Sequence, residues 1–456
     1  MTESSPLKDL LGKKTVCSCG KTHACGLDRF TVTDGSSEDL LPGLLAGYGA
    51  SRVHFISSSS AMEALGDRIY EKACTSGYTV SSSVFPPESG YICDHVSAGD
   101  LLIHIPRDTD ILVAVGGKTV CDLGKFAADK NGIPLIFFPV SASSDTFSMS
   151  EGEFTENDRR VRIPLRAPSA IIADIQVLQA APMENTGAGI ASVMADLVSL
   201  ADWELSYSVT GSFICRELSS MLSDMCKNVL RKIENGLSPR DSGVMADLIT
   251  CLIASGAVHD LAGSSAPVRG SESLLAGHVE SILVSEDITD VSFETLRGAA
   301  AVCCIRMYEY IRKHEPSFED AKSGFNDIDR VYFNKELFRV FGEAQGHRIL
   351  SAFGGENYYQ RESRFRRIDH IRANYSEIMR PVWDSLPSSS RVTSLLRTSG
   401  VPCSFSDIGL TAEETLDALV WSKELSQRYG ISRLLADMLM LEDCAFSMAG
   451  GDTQEQ

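Results

Sequence analysis

One pattern over the first 180 residues narrows what this chain can fold into more than any other. Short β-branched runs recur with helix-like stretches between them. Residues 52–57 (RVHFIS), 110–115 (DILVAV), 133–139 (IPLIFFP) and 170–174 (AIIAD) read as strands, and 61–73 and 120–131 read as helices. Strands that alternate with helices predict a mostly parallel sheet covered on both faces, an architecture frequent among nucleotide-binding proteins. After Pro182 the texture changes. Residues 187–208, 216–236, 241–262, 273–285 and 294–314 carry apolar residues at helical spacing with few strand signals. The stretch 320–445 reads the same way, and Thr411 with Glu414 forms a T-x-x-E capping box before its last helix. The expectation is an α/β domain over 1–180, an all-α domain over 181–445 and a frayed tail at 446–456, with a cleft between the domains as the ligand site.

Charge narrows the partners. The chain has 61 acidic and 42 basic residues, a net charge of −19. A field of that sign repels nucleic acid and anionic membranes, so neither is expected as a partner. The longest apolar runs, such as PLIFFPV at 134–140, are strand length. The opening MTESSPLKDLLGKK lacks the apolar core and cleavage site of a secretion signal, which predicts a cytoplasmic protein. Thirteen cysteines, an odd number that includes the adjacent Cys303 and Cys304, read as reduced thiols. The Cys303–Cys304 pair lies on an apolar helix face and is expected in the core.

The strongest local signal is VAVGGKTVCD at 113–122, a buried strand ending in two glycines from which a helix departs. Glycine lets backbone approach a phosphate, and a helix N-terminus offers N–H groups to it. The spacing is neither G-x-x-x-x-G-K-[ST] nor G-x-G-x-x-G. The alternative is a tight strand–helix turn without a ligand.

The run GGKTVCDLGKFAADKNGIPLIFFPVSASSDTFS (116–148) resembles a segment of the glycerol-1-phosphate dehydrogenases, within the iron-containing alcohol dehydrogenase and dehydroquinate synthase superfamily. The likeness extends to CSCGKTH (17–23), PSAIIAD…LQAAP (168–182), TGAGIAS…LADW (186–203), GSSAPVRGSES (263–273), SGVPCSFSDIGLTAEE (399–414) and RYGI (428–431). It implies a Rossmann-like N-terminal domain, an all-α C-terminal domain, NAD or NADP as cofactor, a small phosphorylated polyol or triose as substrate, and a homodimer. The carried-over cofactor positions are Gly116, Gly117, Thr119, Asp122 and Ser143. Asp145 is expected on the nicotinamide and substrate side, with a helix N-cap as its alternative.

The departures from the family pattern weigh as much. The resemblance implies one Asp and two His around a divalent metal, and the matching positions here are Ser192, Ser273 and Ser292. Neutral hydroxyls are poor ligands for a catalytic divalent ion, so no catalytic metal is predicted. Asp196, one helical turn after Ser192, is expected in a polar cleft wall or a salt bridge; a rebuilt metal site is the alternative. Lys118 replaces the third glycine, and Ser58 stands where a carboxylate would hold the adenine ribose, so dinucleotide binding is expected to be weakened. Two functions stay open: a nicotinamide-dependent oxidoreductase without the usual metal, and a non-catalytic ligand- or partner-binding descendant. A third, weaker reading is a lyase or transferase on the same scaffold. Cys17, Cys19, His23 and Cys25 place four zinc donors within nine residues, with a plain hairpin as the alternative reading. His278 reads as a core histidine, and Arg361, Arg364, Arg366 and Arg367 as a solvated helix face.

Overall fold

The computed structural model describes residues 6–87, 91–156, 159–286, 288, 291–324, 330–352 and 360–449. The chain forms two units, Met1–Val193 with Arg216–Ser265, and Met194–Cys215 with Ala266–Gln456.

The first unit opens with a small antiparallel hairpin, β1 (Thr15–Val16) and β2 (Thr22–His23). Its centre is a six-stranded, all-parallel sheet in the order β3-β10-β7-β6-β4-β5. These strands are β3 (Arg29–Thr33), β4 (Arg52–Ser58), β5 (Thr79–Phe85), β6 (Ile111–Gly116), β7 (Leu135–Pro139) and β10 (Ala170–Asp174). Between β7 and β10 a separate hairpin projects, β8 (Glu151–Glu156) and β9 (Arg159–Pro164). Every residue of β6, β7 and β10 is buried, as expected for parallel strands covered on both faces. One face packs Phe55, Val113, Val115, Ile136, Phe138 and Ile172 against Leu45, Leu65 and Ile69.

The covering helices are α1 (Leu41–Gly47), the short α2 (Ser59–Ala61) running through a π-turn at Met62–Gly66 into α3 (Asp67–Thr75), α4 (His95–His104), α5 (Lys118–Asn131) and α6 (Ile175–Ala180). The 28-residue α7 (Met183–Thr210) passes from the first unit into the second. α8 (Arg216–Glu234) and α9 (Ser242–Ala262) return to the first. α9 is long and apolar enough to cross a membrane, yet it lies against α6 and α8 with most of its residues buried. It is a core helix.

Among the described residues no strand follows Asp174. The second unit contains α10 (Ser271–Ser285), α11 (Phe293–Lys313), α12 (Phe318–Ser323), α13 (Arg330–Ala352), α14 (Arg361–Ser385), α15 (Ser389–Thr398), α16 (Ala412–Trp421), α17 (Ile431–Asp437) and α18 (Leu441–Ala449). Thr411 and Glu414 make the predicted capping box, each satisfying the other's backbone N–H, but the helix it opens is followed by α17 and α18 rather than being the last. Cys303 and Cys304 are buried on α11. His278 is buried on α10, its ring 4.6 Å from that of Phe341, and burial lowers its pKa to about 4.

Two further expectations change. Residues 446–449 belong to α18 rather than to a frayed tail, and 450–456 lie outside the described residues. The arginine run is solvated only in part: Arg361 and Arg366 are exposed, whereas Arg364 and Arg367 turn inward. Arg364 donates to the carbonyls of Ala436 (2.9 Å) and Asp437 (2.6 Å), and Arg367 makes two 2.9 Å bonds to the Asp437 carboxylate. Positions three apart share one helix face, and guanidinium groups satisfy the open carbonyls at the end of α17.

Candidate functional site

The strand order reverses at β4 and β6. From β4 the chain moves outward to β5, then crosses back to β6 and proceeds through β7 to β10, which lies beside β3 at the other edge. A ligand crevice in an open parallel sheet lies beyond the carboxyl ends of the strands at such a reversal. β4 ends at Ser58 and β6 at Gly116, and the Ser57 hydroxyl ties the two ends by donating to the Val115 carbonyl at 2.8 Å. The GG turn therefore stands where this topology puts a ligand.

Close packing explains the first glycine. A Cβ on Gly116 would lie 2.6 Å from the Val120 side chain. Gly124, one turn further along α5, leaves only 3.2 Å between such an atom and the Ala114 Cβ. Small residues thus seat α5 directly on β6, with Gly117 as its N-cap and the N–H groups of its first turn at the strand end.

Lys118 does not stand over this turn alone. Its ammonium donates to the Glu153 carboxylate and lies 3.8 Å from Asp122. Glu153 is buried on β8 and also pairs with Arg160 (2.5 Å) and with Arg162 (2.8 Å), its direct cross-strand neighbour on β9. Asp122 is buried and pairs with the fully buried Lys125 at 2.7 Å. Burial opposes the Lys125 ammonium, yet the Asp122 carboxylate outweighs it and holds the pKa above the ordinary lysine value. Lys125 further donates to the carbonyls of Thr146 (3.1 Å) and Glu151 (2.5 Å), fixing the loop after β7 to the start of β8. Asp122 thus balances a structural lysine beneath the turn. Glu153 was not singled out in the sequence; its only signal there is its place in a charged, alternating hairpin.

The remaining carried-over positions spread around the turn. Thr119 is half-buried beside Lys118, and Ser143 is half-buried and shares a 3.0 Å hydrogen bond with Ser141. Ser58 is fully buried and caps the short α2, accepting from the Ala61 N–H at 3.3 Å. Asp145 is fully buried, and Gly256 of α9 approaches so near that a Cβ there would stand 2.5 Å from the Asp145 carbonyl.

At the three positions where the resemblance implies metal ligands, the donors are serine hydroxyls. Ser192 is buried on α7, and among the described residues its hydroxyl has no hydrogen-bond partner. Ser273 donates to the Glu272 carboxylate at 2.7 Å. Ser292 is exposed and caps α11, accepting from the Thr295 N–H at 3.2 Å. Three neutral hydroxyls, two of them already engaged, do not fit a catalytic divalent cation. Asp196 is held in a fully buried ion pair with Arg297 at 3.0 Å. Arg297 also lies 3.6 Å from Glu272 and donates to the Val268 carbonyl at 2.9 Å. In the second unit the Arg297 guanidinium thus balances both Asp196 and Glu272.

Three distant motifs meet in the second unit around Asp202 of LADW. Its carboxylate accepts from the Ser271 N–H (2.6 Å), the Tyr308 hydroxyl (2.5 Å) and the Ile431 N–H (3.0 Å). Burial raises its pKa despite these donors. Gly270 and Gly430 flank it, and a Cβ on either would come within 2.9 and 2.6 Å of its oxygen. The glycines of GSES and RYGI are thus required by close approach to one buried carboxylate.

Comparison with known proteins agrees with this architecture. Residues 34–182 match the family model described as iron-containing alcohol dehydrogenase. Over 430 residues the chain is 24% identical to glycerol-1-phosphate dehydrogenase (NAD(P)+) of Bacillus licheniformis, covering 93% of each chain. It is 32% identical over 179 residues to the Pyrococcus abyssi protein of the same name, covering 39% of this chain and 51% of that one. The chain thus resembles the iron-containing alcohol dehydrogenases over residues 34–182. The fold agrees: glycerol dehydrogenase from Schizosaccharomyces pombe superposes with a TM-score of 0.59 at 12% identity, covering 94% of this chain and 92% of that one. Sulfoacetaldehyde reductase from Bifidobacterium kashiwanohense, solved in complex with NAD+, superposes with a TM-score of 0.59 at 14% identity over 94% and 99%.

Proposed function

We propose that this chain binds NAD(P)(H) at the Gly116–Gly117 turn and handles a small phosphorylated polyol or triose without a divalent metal to polarise it. The observation that carries the reading is the glycine turn and helix N-terminus set at the strand reversal, beside Ser58. There the N–H groups of Gly117, Lys118 and Thr119 would receive the pyrophosphate, and bound nicotinamide would supply or accept hydride. Lys118 is held by Glu153, which keeps a cation beside the turn. Ser58 replaces two charged hydrogen bonds to the ribose by at most one neutral bond. Hydrogen bonds to a charged group contribute roughly 1.5–3 kcal/mol each, so affinity should fall at least about tenfold relative to a family member with the carboxylate. A 2′-phosphate meets no repulsion at that position.

A Lewis-acid metal contributes several kcal/mol to the transition state, so turnover without one should be slow. The buried Asp196–Arg297 pair and the engaged hydroxyls of Ser273 and Ser292 favour a second reading, a non-catalytic binder descended from the family. Calorimetry with NAD(H) and NADP(H), beside dihydroxyacetone phosphate reduction with and without chelator or added zinc and nickel, tests both. Dinucleotide binding with slow, chelator-insensitive turnover is expected. Binding without any turnover selects the binder. Failure to bind either dinucleotide refutes the site, and turnover abolished by chelator refutes the metal-free reading.

A further inference from the structure

We propose that the N-terminal hairpin is a structural zinc site, with Cys17, Cys19 and His23 as ligands and a fourth thiol from Cys215. The site is independent of the dinucleotide turn and of the vacated metal positions.

The hairpin makes the site locally. A turn from Cys17 to Gly20, closed by the Gly20 N–H on the Cys17 carbonyl (3.1 Å) and by the Cys17 N–H on the Lys21 carbonyl (3.0 Å), folds β1 back onto β2. Gly20 supplies the left-handed conformation this needs, at φ 85°. The ligand atoms of Cys17, Cys19 and His23 then lie within 4.8 Å of one another, the span of a tetrahedral shell with metal–sulfur bonds near ~2.3 Å. The Cys19 N–H points at the Cys17 sulfur at 3.5 Å. His23 is buried and its Nδ1 lies 2.6 Å from the Leu261 carbonyl. A carbonyl only accepts, so Nδ1 carries the proton and Nε2 presents its lone pair, 3.3 Å from the Cys19 sulfur. Zinc-binding histidines are held in this way through their second nitrogen.

Cys25, the fourth donor of the sequence cluster, faces away toward the Leu27 carbonyl. The fourth ligand comes instead from the start of α8. Glu217 in its first turn accepts from the Cys17 thiol (3.3 Å) and the Ser18 hydroxyl (2.5 Å), pinning that helix end to the hairpin. Cys215 is buried and precedes α8 by one residue. Three cysteines and one histidine make a closed structural shell, with no open position for chemistry. Binding releases the thiol protons that otherwise go to Glu217 and His23.

The test is metal analysis of protein purified without chelator, followed by cobalt substitution. About one zinc per chain is expected, and the cobalt form should show thiolate-to-metal charge transfer with intense tetrahedral visible bands. The vacated positions hold no sulfur, so such bands cannot arise there. Cys17→Ser with Cys19→Ser should lose the zinc, Cys215→Ser should weaken it, and Cys25→Ser should leave it unchanged. Should the double variant not fold, His23→Cys keeps four donors, and its cobalt spectrum should shift in the visible. An unshifted spectrum, zinc well below stoichiometric after loading, or absence of charge transfer in the wild-type chain would overturn the proposal.

Discussion

Replacing His259 by glutamine should remove a pH-dependent clamp from beneath the candidate dinucleotide site. His259 stands in the last turn of α9, with Nε2 3.1 Å from Glu151 and Nδ1 3.0 Å from Asp260. Burial opposes the imidazolium, but the bonds to Asp260 and Glu151 outweigh it and raise the pKa from 6.5 to about 9. The charged ring is favoured in the folded chain by roughly 3 kcal/mol, since each pH unit is about 1.4 kcal/mol. A raised folded pKa means that this contribution is complete below the unfolded value of about 6.5 and disappears as pH rises through about 9. Glu151 opens the strand that carries Glu153, so the clamp bears on the Lys118 pairing as well. Urea unfolding of wild type and His259→Gln across this range should show a gap near 3 kcal/mol at pH 6 that closes by pH 10. The imidazole should titrate near 9 by NMR. A ring that titrates near 6.5, or a stability gap that widens with pH, refutes the reasoning.

Three further outcomes are expected. Lys125→Met leaves Asp122 as a buried charge without its partner and should cost about 3–5 kcal/mol in denaturant unfolding, much of it recovered by adding Asp122→Asn. Gly116→Ala forces a Cβ to 2.6 Å from Val120 and should cost about 1–3 kcal/mol while weakening dinucleotide binding in calorimetry; unchanged affinity would separate the turn from the ligand. Thr411→Ala should lower stability by about 1 kcal/mol through loss of the α16 cap, with dinucleotide affinity unaffected.

Several elements were legible because their signals are local. β10 matches its AIIAD run residue for residue, and β4, β6 and β7 differ from expectation by one or two residues at their ends. Continuous apolar runs mark buried parallel strands, and the long helices from α7 to α11 declare themselves by periodicity. β5 escaped notice because TVSSSVF is polar. It is an edge strand, and its Ser81 and Ser83 bond the two nitrogens of buried His54 at 2.8 and 3.0 Å. Burial lowers the His54 pKa to about 4, so the ring is neutral and needs both partners. The charged β8–β9 hairpin was missed for a similar reason: its stabilisation comes from cross-strand pairs rather than from an apolar run.

Sequence alone determined the α/β-then-helical order, the glycine turn, the capping box and the serines at the vacated positions, because each is a matter of residue identity at short range. Tertiary structure decided what those residues touch. It placed Glu153 against Lys118, Arg297 against Asp196, and the glycines of two distant motifs against Asp202. A buried charge must find its counterion wherever the fold brings one, and for Lys118 and Asp196 that partner lies 35 and 101 residues away, beyond any local pattern.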